Sequence, residues 1–411
     1  MAGPSLNTSH KPYISYFFMI NHTIPAPALP AKNRIASLDG LRGLAILLVL
    51  LFHTYSRWPD YMPWASVHKD FYVFKFGFLG VQLFFLISGF VIYMTLERCS
   101  SMTEFMFRRW LRLFPAMLIG TLLIYLTSFF LVERPNGQIE FLNLLPGLLF
   151  IDDDVINATQ NLVDVEPIEG AFWSLFVEVK FYVLFGTLYF FNRHTALRNL
   201  LAIFLAAFAY VAAGKISPEL ASPLIDRILF NMLSLQYFGW FCVGALLYKA
   251  YVDNSKLLVL ASALMMIPTV LIMYGKGLPI VSACGLVYIA FYLALNNSVV
   301  SAIFASRLFV FLGFISYPLY LIHENAMVAI TIKTHHHAPY LPDLLTPWPG
   351  IAAIALASYL IAKYLEPIVR EWLKNRLFPL NGCGWFSRHV VHHPVHATHL
   401  VDDSVGNSTK Q

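Results

Sequence analysis

Long apolar segments recur along the whole chain and restrict it to structures that can exist inside a lipid bilayer. Because backbone polar groups must pair within their own segment in lipid, such segments predict transmembrane helices. We therefore predict an all-α integral membrane protein with about ten transmembrane helices in one bundle. The candidate spans are residues 41–58, 74–96, 113–132, 171–191, 199–214, 229–250, 257–274, 278–296, 308–329 and 348–365.

The composition supports a membrane protein, since 58% of the residues are hydrophobic and 12% are charged. Soluble domains carry about 25% charged residues. The four cysteines have the spacing of neither a metal site nor a disulfide framework, so we expect no bound metal. The net charge of +5 belongs to the loops, and nucleic acid is not an expected partner.

The ends of the chain differ from its apolar middle, being rich in proline at the start and in histidine at the end. We predict a flexible N-terminal segment over 1–33, a membrane domain over 34–376 and a His-rich cytoplasmic tail over 377–411. Lysine and arginine are more frequent in the loops on the side of the N-terminus, which favours cytoplasmic location of both termini. We expect a multi-pass protein of the cell membrane, in bacteria the inner membrane.

Two ionisable residues in the first apolar segment are the strongest candidates for a functional site. The step from Arg42 to His53 turns a helix through three turns plus about 20° and rises about 16 Å, so both lie on one face. Ionisable groups at membrane depth are costly and are functional candidates by default. His53 can act as a general base toward a hydroxyl. Asp39 and Gly40 are expected to precede this helix, with Asp39 capping it or pairing with Arg42.

Three arginines before Pro115 form a second candidate group, Arg108, Arg109 and Arg112. Their spacing places Arg108 and Arg112 on one helix face at the cytoplasmic surface. Attraction to lipid headgroups explains such a group. Recognition of the phosphates of a soluble ligand explains it equally well, because arginine forks fit phosphate oxygens.

Polar residues also occur at regular intervals in later apolar segments. Ser174, Glu178 and Tyr182 form one stripe after Trp173, and buried Glu178 needs a partner, for which a histidine is the obvious choice. Ser88 precedes Gly89 and offers a hydroxyl for a bond between helices. His323, at the end of S-Y-P-L-Y-L-I-H-E, is a candidate acceptor-side or relay group.

Taken together, these segments resemble the membrane acyltransferase 3 family of polysaccharide and small-molecule O-acyltransferases, from about Ile35 to Arg370. The resemblance rests on five motifs in the same order. They are the arginine–histidine pair with ten intervening residues at Arg42 and His53, the aromatic S-G-F segment Phe84 to Phe90, the R-x-x-R-x-x-P stretch Arg109 to Pro115, W-S-L-x-x-E at Trp173 to Glu178 and S-Y-x-L-Y-L-x-H at Ser316 to His323.

This resemblance implies ten core helices and transfer of a short acyl group from cytoplasmic acyl-CoA, with acetyl-CoA the simplest donor, to a hydroxyl of a carbohydrate or related acceptor. It implies no bound cofactor, His53 as the catalytic base and Arg42 as an essential residue. We add Glu178 as a third catalytic candidate. The predicted substrate-binding residues are Arg108, Arg109, Arg112, Ser88, Trp173, Ser174, Tyr182, Tyr317 and His323.

The residues suggest an arrangement for these roles, in which CoA phosphates contact Arg42 and the arginine group. The thioester would then lie toward His53, and the acceptor would enter from outside near Glu178 and His323. A transporter or flippase for a glycan or lipid-linked substrate is the alternative, with the aligned charges along a translocation path.

Overall fold

The computed structural model describes residues 35–159 and 165–377, which fold into helices and connecting loops without strands. The predicted N-terminal segment and the predicted His-rich tail lie outside the described residues. The α-helices in chain order are α1 (Ala36–Tyr55), α2 (Tyr72–Lys75), α3 (Leu79–Leu96), α4 (Met102–Ser128), α5 (Leu145–Leu149), α6 (Asp153–Thr159), α7 (Trp173–Phe191), α8 (Ala196–Ile216), α9 (Pro223–Asp226), α10 (Phe238–Asp253), α11 (Lys256–Met273), α12 (Leu278–Asn296), α13 (Ser298–Phe304), α14 (Arg307–Ile322), α15 (Glu324–His337), α16 (Trp348–Leu360) and α17 (Glu366–Leu377).

The predicted all-α membrane architecture is confirmed. Within the described ranges, eight helices are long and apolar enough to cross a membrane, and two bent helix pairs raise the number of spans to ten. The first pair, Pro223–Met232 and Leu235–Asp253, bends by 58°, and the second pair, α13 and α14, bends by 57°. At the first bend Ser234 has φ +58°, a left-handed conformation that interrupts the helix. The predicted span over 229–250 is therefore interrupted at this point.

Several helix boundaries also differ from the predictions. α1 begins at Ala36, so Asp39 and Gly40 lie inside this helix, and the prediction that they precede it is wrong. α14 ends at Ile322, whereas the predicted ninth span continued past His323. These differences share one cause. Tertiary packing and polar partners decide where a helix begins and ends, and hydropathy alone does not report either of them.

α1 lies at the centre of the described bundle and packs backbone to backbone against α14. A Cβ on Gly43 would lie 2.1 Å from the carbonyl oxygen of Phe309, and one on Gly313 would lie 1.9 Å from that of Asp39. Only glycine allows this approach, as in close helix pairs of membrane proteins generally. The contact fixes both the height and the rotation of α1 relative to α14.

We predict that Gly313→Ala lowers the apparent melting temperature in detergent, because overpacking a close contact costs about 1–3 kcal/mol. Gly285→Ala on α12 is the matched control, since a Cβ there meets no atom within 4 Å. We expect the control to melt at or slightly above the wild-type temperature, because alanine favours a helix over glycine by about 1 kcal/mol. Equal melting temperatures for the two variants would contradict the close contact.

Candidate active site

The last turn of α1 brings His53 against the junction of α14 and α15. His53 Nδ1 lies 2.9 Å from the Val49 carbonyl oxygen and 3.3 Å from Nε2 of His323. His53 Nε2 lies 3.5 Å from Oε1 of Glu324. The first and ninth predicted spans therefore meet at this point, and His323 is the residue that contacts His53.

These hydrogen bonds define which nitrogen of each ring carries a proton. Nδ1 of His323 lies 2.8 Å from the Tyr320 carbonyl oxygen and must donate to it, which leaves His323 Nε2 as an acceptor. His53 Nδ1 then donates to the Val49 carbonyl oxygen and to His323. His53 Nε2 thus carries no proton in the neutral ring and can accept one. It faces the carboxyl group of Glu324, which can share a proton with it.

Glu324 is a residue that sequence reasoning missed as a functional candidate. Its side chain is buried, and its Oε2 has no hydrogen-bond partner among the described residues. The indole Nε1 of Trp58 is buried close to this carboxyl group and interacts with it, although not with the geometry of a good hydrogen bond. Oε2 also lies against Gly170, where an added Cβ would be 2.7 Å away. Trp58, Gly170 and His53 therefore surround the Glu324 carboxyl group. The signal was present in the sequence, as a second ionisable residue directly after His323.

Glu169, in the segment before α7, is a second buried carboxyl group and connects this segment to α15. Glu169 accepts hydrogen bonds from the backbone and side-chain nitrogens of Asn325, at 2.9 and 2.7 Å. Burial, followed by the nearby Glu324 carboxyl group, raises the pKa of Glu169 to about 7. Burial and the neighbouring acid thus both favour the neutral form of Glu169, and its protonation would reduce the repulsion between the two acids.

A cavity of about 60 Å³, which we call the central cavity, lies toward the Arg42 end of the bundle. It collects side chains from segments that are far apart in sequence. Six predicted site residues line it, namely Arg42, Ser88, Arg112, Ser174, Glu178 and Tyr317. Its other lining residues are Phe84, Phe85, Leu113, Leu175, Ser316 and Tyr320.

Polar partners hold the charged groups around the central cavity. Arg42 pairs with Asp39 at 2.9 Å, as the sequence predicted. Glu178 Oε1 accepts hydrogen bonds from the hydroxyls of Ser88 and Tyr182, each at 2.7 Å. The expected histidine partner of Glu178 is therefore wrong, because two neighbouring hydroxyls already satisfy this carboxylate.

The three arginines of α4 do not act as one group. Arg109 is buried, donates to the Val91 carbonyl oxygen at 3.1 Å and to the Thr95 hydroxyl, and stacks over the Tyr182 ring. Arg108 pairs with Glu104 at 2.6 Å. Arg112 alone of the three lines the central cavity. The single predicted cluster is thus divided, because consecutive helix positions face different directions.

Trp173 also lies apart from the lining of the central cavity. Its ring packs against Tyr237 at 4.8 Å and against Phe85 at 6.0 Å, which makes it part of an aromatic core. Cys99, in the loop between α3 and α4, and Cys242 and Cys284, in α10 and α12, are likewise buried, and Cys383 lies outside the described residues. Across the described ranges, no group of His, Cys, Asp or Glu could hold a metal ion.

Tyr320 lies between the central cavity and the histidine pair. Its hydroxyl is 2.7 Å from Ser174 Oγ, and its side chain lines the cavity. The same ring is 5.6 Å from that of His323. The Arg42 end and the His53 end are therefore connected through one aromatic side chain.

Comparison with known proteins finds relatives whose names describe acyl transfer. The chain is 29% identical over 171 residues to O-acetyltransferase OatA of Staphylococcus aureus, which covers 39% of this chain and 25% of OatA. It is also 29% identical over 209 residues to the membrane-bound transacylase BcsY of Komagataeibacter xylinus, covering 47% of this chain and 50% of BcsY. The matched segments thus span at most half of these relatives. No solved structure matches this chain.

A family profile described as an acyltransferase domain matches residues 35–365, which contain both cavity and histidine pair. The matched region also contains all five motifs that suggested the resemblance. The chain belongs to this acyltransferase 3 family of multi-pass membrane proteins.

Proposed function

We propose that this protein transfers a short acyl group, acetyl or similar, from acyl-CoA to a hydroxyl of a glycan or related acceptor. The observation that carries the proposal is the position of His53. Its free Nε2 faces the carboxyl group of Glu324, at the opposite end of α1 from the cavity-lining Arg42. A base and an anion-binding group on one helix suit a reaction between a charged donor and a neutral hydroxyl.

In this proposal both termini lie in the cytoplasm, so the Arg42 end of the bundle faces the donor. Arg42 and the exposed Arg112 supply two guanidinium groups at the central cavity. Phosphate groups of CoA are suitable ligands for them, because arginine binds phosphate oxygens through two parallel hydrogen bonds. The pantetheine arm then follows the cavity toward Tyr320. Movement of the Tyr320 side chain away from Ser174 admits the thioester to His53.

The acceptor approaches from the other end of the bundle. An acceptor hydroxyl would bind beside His53 Nε2, where it would share the Glu324 carboxyl group with the Trp58 indole. The Trp58 ring lies under the guanidinium of exposed Arg57, at 4.7 Å, and beside the ring of exposed Tyr61, at 5.6 Å. An aromatic face beside hydrogen-bonding groups suits a carbohydrate, which has both apolar and hydroxyl surfaces.

The chemical step needs a base that takes a proton from the acceptor hydroxyl and gives it to the leaving thiolate. His53 Nε2 takes the proton of the acceptor hydroxyl while its oxygen attacks the thioester carbonyl carbon. The tetrahedral intermediate collapses, the carbon–sulfur bond breaks, and the imidazolium returns the proton to the CoA thiolate. Glu324 stabilises the imidazolium between these two events, and the Val49 carbonyl oxygen keeps the ring oriented.

We predict that His53→Ala lowers kcat for transfer by about 10²- to 10⁴-fold, the usual contribution of a general base. The measurement is release of free CoA thiol from a panel of acyl-CoAs by purified protein in lipid nanodiscs, with acceptor glycans followed by mass spectrometry. His68→Ala, an exposed histidine in the loop after α1, is the control and should retain activity. Full transfer by a normally folded His53→Ala protein would reject the assignment.

We predict that Arg112→Ala raises KM for acetyl-CoA by about 10- to 100-fold, because a charge-assisted bond to phosphate contributes about 1.5–3 kcal/mol. S-acetyl-pantetheine lacks the nucleotide phosphates, so its KM should change little in the same variant. Arg198→Ala, at the exposed start of α8, is the matched control. Equal losses with both donors would show that Arg112 does not bind the phosphates.

A further inference from the structure

A second cavity, which we call the lateral cavity, lies between α4, α15 and α16 and has a volume of about 160 Å³. Apolar side chains form most of its wall. They are Leu123, Ile124, Leu131, Ile322, Ala326, Ile330, Ala353, Ile354 and Ala357. Apolar cavities of about 150 Å³ stay dry in proteins and bind small hydrocarbons. This cavity is therefore suited to a segment of hydrocarbon chain.

The lateral cavity is open to the surface that lipid would cover. Ala353 lines it and is exposed on α16. In the apolar part of the segment Trp348–Leu377 only 22% of the residues are buried, so this part of the bundle is peripheral. A chain lying in the bilayer can thus enter the cavity sideways.

One end of the lateral cavity is polar and contains a hydrogen-bond donor that has no partner among the described residues. Arg134 lines it, is only 5% exposed, and its Nε has no hydrogen-bond partner among the described residues. A buried donor left unpaired costs about 1–3 kcal/mol, which an acceptor oxygen from a ligand would recover. Thus the same cavity offers a hydrocarbon wall and a buried hydrogen-bond donor.

This polar end adjoins the proposed catalytic group. Asn325 and Glu169 also line the lateral cavity, and their side chains bond to each other at 2.7 Å. Asn325 directly follows Glu324, whose carboxyl group is 3.5 Å from His53 Nε2. Glu169 also interacts electrostatically with Glu324, so the polar end of the lateral cavity lies close to the His53 site, with Glu169 and Asn325 between the two.

We propose that the lateral cavity binds the hydrocarbon chain of a membrane-borne acceptor, with a neutral, hydroxyl-rich head on Arg134 and one hydroxyl directed toward His53. This inference rests on the proposed function and names its substrate class, a glycolipid-like amphiphile. The charges favour a neutral head, because two buried carboxyl groups, Glu169 and Glu324, accompany the single arginine. An anionic phosphate head would meet these acids, whereas sugar hydroxyls can both donate to and accept from them.

The test uses full-length protein in phosphatidylcholine nanodiscs and an alkyl glucoside with a photoreactive diazirine near the end of its chain. We expect mass spectrometry to locate the adducts on α15 and α16 at the cavity wall. Unlabelled decyl glucoside should compete with the probe, and methyl glucoside should not. Ala357→Phe, which fills the cavity, should weaken labelling by about tenfold, the effect of losing about two buried methylene groups.

Ala352→Phe is the matched control, since Ala352 is exposed on the same helix and does not line the cavity. It should label as wild type does, and Ala353→Phe replaces Ala357→Phe if the latter fails to fold. Labelling spread evenly over lipid-facing helices, or equal in both phenylalanine variants, would overturn the proposal and leave bulk lipid as the occupant. Cavity labelling without acyl transfer to any hydroxyl would instead reject the proposed function.

Discussion

The direct backbone contact between α1 and α14 is the constraint on which the rest of the site depends. Gly43 and Gly313 let the two helices approach until a carbonyl oxygen of each touches the other. This approach places His53 within 3.3 Å of His323, and it holds Arg42 at the central cavity about 16 Å away along α1. The glycines contact neither histidine side chain, yet the small size of the glycines sets the distance between the two histidines.

Buried polar groups in the described structure fall into two kinds. Near the Arg42 end, Arg109 and Glu178 bond to hydroxyls and carbonyl oxygens of a neighbouring helix, so these bonds hold helices together. Near the His53 end, Trp58, Glu324 and Arg134 each have a buried polar atom without a hydrogen-bond partner among the described residues. Such atoms also occur elsewhere, on Arg108 and Arg109 for example, so only those close to His53 bear on the proposed binding region.

Much of this architecture could be predicted from the sequence, because hydropathy and helical periodicity are local properties. The all-α architecture and the eight to ten spans of the described residues belong to this class. The bend at Ser234, the inward direction of Arg109 and the contact between His53 and Glu324 do not. Each of these depends on which helices become neighbours, and a single sequence carries no direct record of that pairing.

The position of Tyr320 bears on the permeability of the bilayer. A protein that binds one substrate from each side of a membrane needs two openings, and two openings that meet would form an aqueous pore. Tyr320 and Ser174 close the connection with a ring and a hydroxyl–hydroxyl bond of 2.7 Å. In the proposed reaction the donor would displace this ring and fill its place, so the two openings would never join and the membrane would keep its electrical resistance and its proton gradient.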